Sequence, residues 1–262
     1  MERIKQALDR AREAREASGE APRTGRAAET PGAISYTQTR SAPVSQAVLR
    51  ENRIIAAEPD GAFSDAYKIL RTQVLQRLKD NDWNVLAVTS PGEGAGSTLT
   101  AINLAISLAM EVSYTVLLVD ANLRHPTVHE YFGLSAGRGL SDYLLDNAPL
   151  PELLVHPADI EHFVMLPGGR PLANSAEMLG SPRMVQLVDE LKRRYPRRIV
   201  VFDVPPVLTS ADSLAFAPYV DAALLVIADG GTGRQDTRRA VELLEATNVL
   251  GTVLNKTPSV QG

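Results

Sequence analysis

The sequence contains no cysteine, which excludes a disulfide framework and thiolate metal sites. It also has no apolar run near the roughly 20 residues that a membrane-spanning helix requires. The longest mostly apolar stretch covers residues 99–110 and contains Asn103. The first 17 residues alternate charges and have no apolar block, unlike a secretory signal peptide. We therefore expect a cytoplasmic protein, and any association with the inner face of the membrane should come through a partner.

A large excess of either charge is also absent. The chain has 27 Lys and Arg residues against 31 Asp and Glu residues, and its net charge is −4. Nothing in this balance indicates nucleic-acid binding, so we expect no nucleic-acid partner. Lysine is scarce, because it occurs only at positions 5, 68, 79, 192 and 256. The 262 residues suffice for one α/β domain of about 200 residues and an additional tail.

Residues 1–47 differ in composition from the rest of the chain. Residues 2–17 are rich in Ala, Arg and Glu and predict a short solvated helix. Residues 18–45 are rich in Gly, Pro, Thr and Ser and poor in apolar residues, which is typical of a disordered linker. A passive spacer and a docking segment are equal alternatives for this extension. We assign residues 1–47 to a helical and flexible N-terminal extension and residues 48–262 to a folded domain.

From residue 63 onward, helical periodicity alternates with short apolar runs. The runs are nearly continuous in apolar residues, which is typical of strands buried on both faces. Strands are predicted at 84–89, 114–119, 162–166, 198–202, 222–227 and 249–254, and helices at 63–78, 98–110, 182–195 and 234–246. This alternation predicts an α/β fold with a doubly wound, mostly parallel sheet. Ligands of such sheets bind beyond the carboxyl ends of the strands.

A glycine-rich segment separates the first predicted strand from the helix predicted at 98–110. Glycines allow backbone N–H groups to turn towards a phosphate, and the N-terminus of the following helix adds a positive dipole end. The usual Walker A motif ends in Gly-Lys-Ser/Thr. Ser97 here occupies the lysine position, and Thr98 provides the hydroxyl that would bind magnesium. The candidate phosphate-binding residues are Gly92, Glu93, Gly94, Ala95, Gly96, Ser97 and Thr98.

Two aspartates end predicted strands. Asp120 is followed by Ala-Asn122-Leu-Arg124 and is suited to bind magnesium, orient water or accept a proton. Asp203 ends an apolar strand and precedes Val-Pro-Pro, which is the Walker B arrangement of a carboxylate that reaches magnesium. Each element alone is a weak signal, because a glycine-rich turn or a strand-terminal Asp is often only structural. Their occurrence together and in order predicts a nucleotide site of the P-loop type.

At these residues the chain resembles the bacterial tyrosine kinases of polysaccharide export (BY-kinases), within the MinD-like P-loop ATPases. The resemblance extends from about residue 48 to residue 258 and is greatest to the autokinases associated with exosortase-type polysaccharide systems. Besides the three elements above, it covers Leu166-Pro-Gly-Gly-Arg-Pro-Leu, Glu177-Met-Leu-Gly-Ser-Pro-Arg and Gly251-Thr-Val-Leu-Asn-Lys. That combination is more specific than a P-loop alone.

The resemblance implies ATP or ADP and Mg²⁺ as cofactors. Residues 92–98 would wrap the phosphates, while Thr98, Asp120 and Asp203 would serve magnesium and the transfer chemistry. Arg124 and Asn255 would belong to the nucleotide site, with Asn255 near adenine. The family's usual activator is a membrane polysaccharide co-polymerase. The implied homo-oligomer forms through a helix that carries Asp65, Lys68 and Arg71.

Three departures from the family pattern bear on activity. Ser97 replaces the Walker A lysine, and Asn122 replaces the second aspartate of the Asp-x-Asp-x-Arg element. Residues 220–262 contain no tyrosine that could form a C-terminal phosphorylation cluster. Serine brings no charge to the β/γ-phosphates, and asparagine accepts hydrogen bonds but is no base. The hypothesis is an ATP-binding kinase-family protein of polysaccharide synthesis or export whose phosphoryl transfer is impaired or lost.

Two alternatives stay open. An active tyrosine kinase or ATPase would need a compensating cation, such as Arg124 or an arginine from a neighbouring subunit. A dinucleotide-binding protein would explain the glycine spacing in residues 92–97 and the acid Asp120 at the end of the next strand. Its final glycine, however, is Ser97, and the strand that ends at Asp203 has no role in that fold.

Overall fold

The computed structural model describes residues 39–194 and 197–257. Eight strands in these residues form one sheet, and in chain order they are β1 (Arg40–Ala42), β2 (Val85–Thr89), β3 (Thr115–Asp120), β4 (Val155–Pro157), β5 (Phe163–Leu166), β6 (Arg198–Asp203), β7 (Ala222–Ala228) and β8 (Asn248–Asn255). Their order across the sheet is β1-β4-β5-β3-β6-β2-β7-β8. Every neighbouring pair is parallel except β4–β5, which is antiparallel.

Ten α-helices occur in the described residues: α1 (Gln46–Glu51), α2 (Ala62–Asp80), α3 (Ser97–Ala109), α4 (Val128–Tyr131), α5 (Leu140–Asp146), α6 (Leu150–Leu153), α7 (Ser175–Leu179), α8 (Pro182–Arg194), α9 (Ala211–Phe216) and α10 (Arg234–Leu243). Single 3-10 turns lie at Ile55–Ala57 and Ala217–Tyr219. Among these helices, none has the length and apolarity that would let it cross a bilayer.

The central strands of the sheet are buried on both faces. Side chains alternate along β2, so Leu86 and Val88 join one apolar cluster and Val85 and Ala87 join the other. Helices α2 and α3 contribute to the first cluster, and α8 and α9 contribute to the second. Burial of one Leu or Val side chain stabilises by about 1.5–3 kcal/mol. This two-sided burial explains why the strands read as continuous apolar runs.

The structure confirms the predicted doubly wound, mostly parallel sheet. Each strand predicted from the sequence is present, with its ends shifted by a single residue at most. The long helices are also present, although α10 ends at Leu243 rather than at residue 246. Strand β4 and helices α1, α4 to α7 and α9 were not predicted. They are too short to show a periodic pattern of their own. Their apolar side chains pack into the cores that the longer elements build.

Strand β1 lies in the segment that composition assigned to the disordered linker, so that assignment was wrong for residues 40–42. Their backbone pairs in parallel with β4, and Ala42 is buried. A three-residue strand carries too few side chains to show a hydrophobic pattern, and only its pairing with β4 defines it. The helix predicted at 2–17 and the linker up to residue 38 lie outside the described residues. The domain boundary at residue 47 stays a prediction.

The three residues of the implied oligomerisation motif lie along α2 in two different environments. Lys68 Nζ lies 2.9 Å from Asp65 Oδ1, and both side chains remain substantially exposed. Arg71 is largely buried, donates a hydrogen bond of 3.1 Å to the Ser107 carbonyl oxygen and lies 3.3 Å from Glu111 Oε1. Arg71 therefore ties α2 to the end of α3 within the chain. Oligomer formation through this helix stays a prediction.

Candidate functional site

The three predicted elements meet at one edge of the sheet. Strands β3, β6 and β2 are parallel neighbours, so their carboxyl ends lie together. The glycine-rich loop follows β2, and Asp120 and Asp203 end β3 and β6. The two aspartates are direct partners in the register of these strands. This edge is where ligands bind in open α/β sheets.

The glycine-rich loop is tethered by the end of the edge strand β8. Gly94 and Gly96 have φ angles of +73° and +87°, a region that favours glycine. Asn255 Nδ2 donates a hydrogen bond of 2.9 Å to the Ala95 carbonyl oxygen. A Cβ atom at Gly96 would collide with the same Nδ2 atom. Asn255, which the resemblance implies near adenine, therefore packs directly against the phosphate-loop backbone.

A cleft of about 400 Å³ lies between this loop and the segments that follow β3 and β6. Its predicted lining residues are Glu93, Gly94, Gly96, Ser97, Thr98, Asn122 and Arg124. Sequence patterns did not indicate the others, which are Ser90, His125, Tyr131, Pro205, Pro206, Thr209 and Ser210. The two prolines belong to the Asp203-Val-Pro-Pro element, so that motif could have indicated them. Tyr131 belongs to the single-turn helix α4, for which the sequence has no local signal.

Five predicted site residues do not line the cleft. Gly92 and Ala95 belong to the loop itself, and Ala95 is buried beneath its surface. Asp120 and Asp203 are almost completely buried at the strand ends, and Asn255 lies behind the loop. The fold therefore brings the whole predicted set into one region, but divides it into residues that face the cleft and residues that support it.

Backbone amides surround the carboxylate of Asp120. Its Oδ1 accepts a hydrogen bond of 3.2 Å from the Asn122 N–H, and its Oδ2 accepts one of 3.0 Å from the Val128 N–H. The N–H groups of Thr127 and Gly168 also interact with it. Burial nevertheless dominates and raises the pKa of Asp120 to about 7. Asp120 therefore organises the loop after β3.

Asp203 has a different environment. It is 1% exposed, and its Oδ2 has no hydrogen-bond partner in the described part of the chain. Burial and the nearby charge of Asp120 raise the pKa of Asp203 well above its usual range, and a hydrogen bond with Thr98 opposes that rise. An unpartnered buried carboxylate oxygen beside a threonine hydroxyl fits the hard oxygen ligands that Mg²⁺ prefers. These residues therefore suit the predicted magnesium ion.

Positive charge is sparse in the cleft. Ser97 is the first residue of α3, at the position of the Walker A lysine. Of the lysines that the structure describes, none lines the cleft. Arg124 is the only Lys or Arg among the described lining residues, and its side chain is 50% exposed. The geometry thus keeps the phosphate-loop backbone but lacks the lysine charge that normally accompanies it.

Comparison with known proteins decides the family. No family model matches the chain. The tyrosine-protein kinase YwqD of Bacillus subtilis is 34% identical over 209 residues, which cover 79% of this chain and 86% of YwqD. This chain belongs to the bacterial tyrosine-protein kinase family. A putative tyrosine-protein kinase in the cps region of Klebsiella pneumoniae is 30% identical over 178 residues, which cover 68% of this chain and 24% of that protein.

Solved structures agree with this family. The kinase domain of the Escherichia coli tyrosine kinase ETK has a TM-score of 0.74 and 26% identity, covering 93% of this chain and 96% of that one. The chimerical protein CapA2B2 has a TM-score of 0.73 and 27% identity, with coverage of 84% and 93%. MinD of Pyrococcus horikoshii shares the fold, with a TM-score of 0.54, 22% identity and coverage of 65% and 69%. The expected MinD-like P-loop fold is thus confirmed.

Proposed function

We propose that this tyrosine-kinase-family protein binds ATP or ADP with Mg²⁺ in capsule or exopolysaccharide biosynthesis, and that its phosphoryl transfer is impaired. The observation that carries the proposal is the charge deficit of the cleft. Ser97 occupies the lysine position, and Arg124 is the only Lys or Arg that lines the cleft in the described residues. The polysaccharide setting is supported by the family resemblance and by the relative named for the cps region of Klebsiella pneumoniae.

The nucleotide proposal rests on the loop and the two strand-end aspartates. Backbone N–H groups at the start of α3 suit phosphate oxygens, and the helix dipole favours their negative charge. Thr98 and Asp203 would hold Mg²⁺, with Asp120 next to them. When bound, the ion would supply positive charge that offsets the negative charge of the phosphates. MinD of Pyrococcus horikoshii, which shares the fold, is described as complexed with Mg-ADP.

The proposed impairment follows from electrostatics. Phosphoryl transfer depends on positioning and on neutralising the charge of the transferred group. Loss of one donor directed at developing charge costs about 3–4 kcal/mol, which is a factor of about 10²–10³ in rate. Ser97 supplies a neutral hydroxyl in place of the lysine, and Asn122 cannot act as a base. Two such changes in one cleft favour a regulatory, nucleotide-binding role over efficient catalysis.

Partners are proposed on the resemblance alone. A membrane polysaccharide co-polymerase would be the activating partner and would hold this protein at the inner face of the membrane. The exposed Asp65 and Lys68 on α2 would contribute to a homo-oligomer. Arg71, which bonds within the chain, would support that surface by fixing α2 against α3.

The test compares the natural chain with a Ser97→Lys variant in MgATP binding and in turnover with radiolabelled ATP. We expect the variant to bind MgATP more tightly and to regain only part of the activity, because Asn122 remains. Asp203→Ala is the control that should remove Mg²⁺-dependent signals from both chains. Robust autophosphorylation by the natural chain, abolished by Asp203→Ala, would refute the impairment. Failure of both chains to bind MgATP would refute the nucleotide function.

A second candidate is an active kinase or ATPase in which Arg124 replaces the missing lysine. The observation in its favour is that Arg124 lines the same cleft as Ser97. A guanidinium differs from an ammonium in shape and hydrogen-bond geometry, so the replacement would be imperfect. ATP turnover that disappears in Arg124→Ala would support this candidate. Binding of NAD in place of MgATP would instead favour the dinucleotide alternative.

A further inference from the structure

An ion pair connects the cleft to a buried carboxylate behind it. Arg124 Nη2 lies 3.7 Å from Asp212 Oδ1. Arg124 belongs to the loop after β3, and Asp212 is the second residue of α9. The Arg124 side chain is half-exposed, whereas that of Asp212 is completely buried. The pair therefore joins a residue of the cleft lining to the core of the opposite wall.

Asp212 has few other partners for its charge. Neither of its carboxylate oxygens has a hydrogen-bond partner in the described part of the chain. Its backbone N–H donates a hydrogen bond of 3.2 Å to the Ser210 hydroxyl, which caps α9 and fixes the position of the residue. A buried charge without a partner is costly, so the Arg124 guanidinium is the group that offsets it.

Arg124 has enough hydrogen-bond donors to contact Asp212 and a ligand in the cleft at the same time. A guanidinium carries five N–H donors in one rigid plane. Nη2 lies towards Asp212, and the side chain, which is half-exposed as a whole, also lines the cleft. Because Ser97 brings no charge, the interaction of the cleft with a phosphate depends on how this guanidinium is oriented.

We propose that Asp212 is a positioning residue of the nucleotide site, whose buried carboxylate holds the Arg124 guanidinium at the cleft with its other donors directed to the phosphates. This inference rests on the proposed nucleotide function. Asp212 touches Arg124 and acts through it, so its effect on binding depends on the presence of that arginine. The sign of the effect separates positioning from simple charge, because removing a negative charge near the cleft would by itself strengthen the binding of an anion.

The first measurement needs no nucleotide. NMR relaxation of the Arg124 Nε–Hε group, identified by its loss in Arg124→Lys, reports how restrained the guanidinium is. We expect a restrained group in the natural chain and a mobile one in Asp212→Asn. Asp146→Asn, which removes the exposed partner of Arg170, is the matched control and should leave the Arg124 signal unchanged. An Arg124 group that is equally mobile in the natural chain and in Asp212→Asn would overturn the inference.

The second measurement is calorimetric binding of MgATP. We expect Asp212→Asn to bind about tenfold more weakly than the natural chain, in the range of a hydrogen bond to a charged group. The same substitution should have no effect in an Arg124→Ala background, whereas a merely structural defect would persist there. Equal or tighter binding by Asp212→Asn would overturn the inference. If the natural chain binds no MgATP, the proposed function fails, and the NMR measurement still decides whether Asp212 positions Arg124.

Discussion

Substituting Asp203 by asparagine should stabilise the nucleotide-free protein, although the residue lies at the centre of the site. Asp203 and Asp120 are buried neighbours in register, and burial raises the pKa of both. A carboxyl group whose pKa is higher in the folded than in the unfolded state makes folding less favourable as pH rises between the two values. Asp203→Asn keeps the shape of the side chain and removes one of the two charges.

The size of the effect follows from the neighbouring group. The pKa of Asp120 rises from its ordinary value of 3.8 to about 7, and each unit corresponds to about 1.4 kcal/mol. Charging Asp120 in the folded protein therefore costs about 4 kcal/mol. The pKa of Asp203 is raised in the same direction by burial, and the charge of Asp120 adds to that rise. Loss of the interaction with Thr98 offsets part of the gain. We expect Asp203→Asn to raise the free energy of unfolding by about 2–3 kcal/mol above pH 7 and by little near pH 4.

Urea unfolding from pH 4 to pH 8, with EDTA present to remove Mg²⁺, measures this difference. Asp189→Asn on the exposed face of α8 is the matched control and should change stability by less than about 0.5 kcal/mol. The same Asp203→Asn variant should lose the stabilisation that MgATP confers on the natural chain. An Asp203→Asn protein that is less stable than the natural chain at pH 8 would refute the assignment of Asp203 as a destabilising carboxylate that a cation would neutralise.

Two further predictions concern the loop and helix α2. Gly96→Ala should destabilise by about 1–3 kcal/mol and weaken MgATP binding, because of its positive φ and the contact with Asn255. Gly92→Ala, where a Cβ meets open space, is the control; calorimetry showing equal effects would contradict the argument. Arg71→Ala should lower the free energy of unfolding by about 1–3 kcal/mol, because its largely buried side chain bonds to both the Ser107 carbonyl oxygen and Glu111. Lys68→Ala should cost at most about 1 kcal/mol, and equal losses in urea unfolding would show that Arg71 has no special role within the chain.

Much of the fold was predictable because its central strands are buried on both faces. Such strands need apolar residues at every position, and this pattern is visible without knowledge of their neighbours. The short elements could not be predicted in the same way. Strand β1 has three residues and depends on pairing with β4, and the single-turn helix α4 has no period of its own. Their conformations are determined by contacts with segments distant in the chain.

The site likewise contains residues that the sequence predicted and contacts that it did not. Local motifs sufficed to identify the glycine-rich loop, Asp120 and Asp203, because backbone approach to phosphate and magnesium binding require those residue types at strand ends. The Walker A motif also identified Ser97 as the residue that occupies the position of the usual lysine. They did not indicate that Asp212 would pair with Arg124, since these residues are far apart in sequence and Asp212 belongs to no phosphate motif.

The amino-acid sequence by itself determined the family, the alternation of strands and helices, and the departure of Ser97 from the kinase pattern. These features depend on residue type and on short-range spacing, which the chain carries locally. Only the tertiary structure decided that Asn255 holds the phosphate loop, that Asp203 keeps an unpartnered oxygen among the described residues and that Arg71 bonds within the chain. Each of these depends on burial and on contacts between distant segments, which exist only once the sheet has assembled.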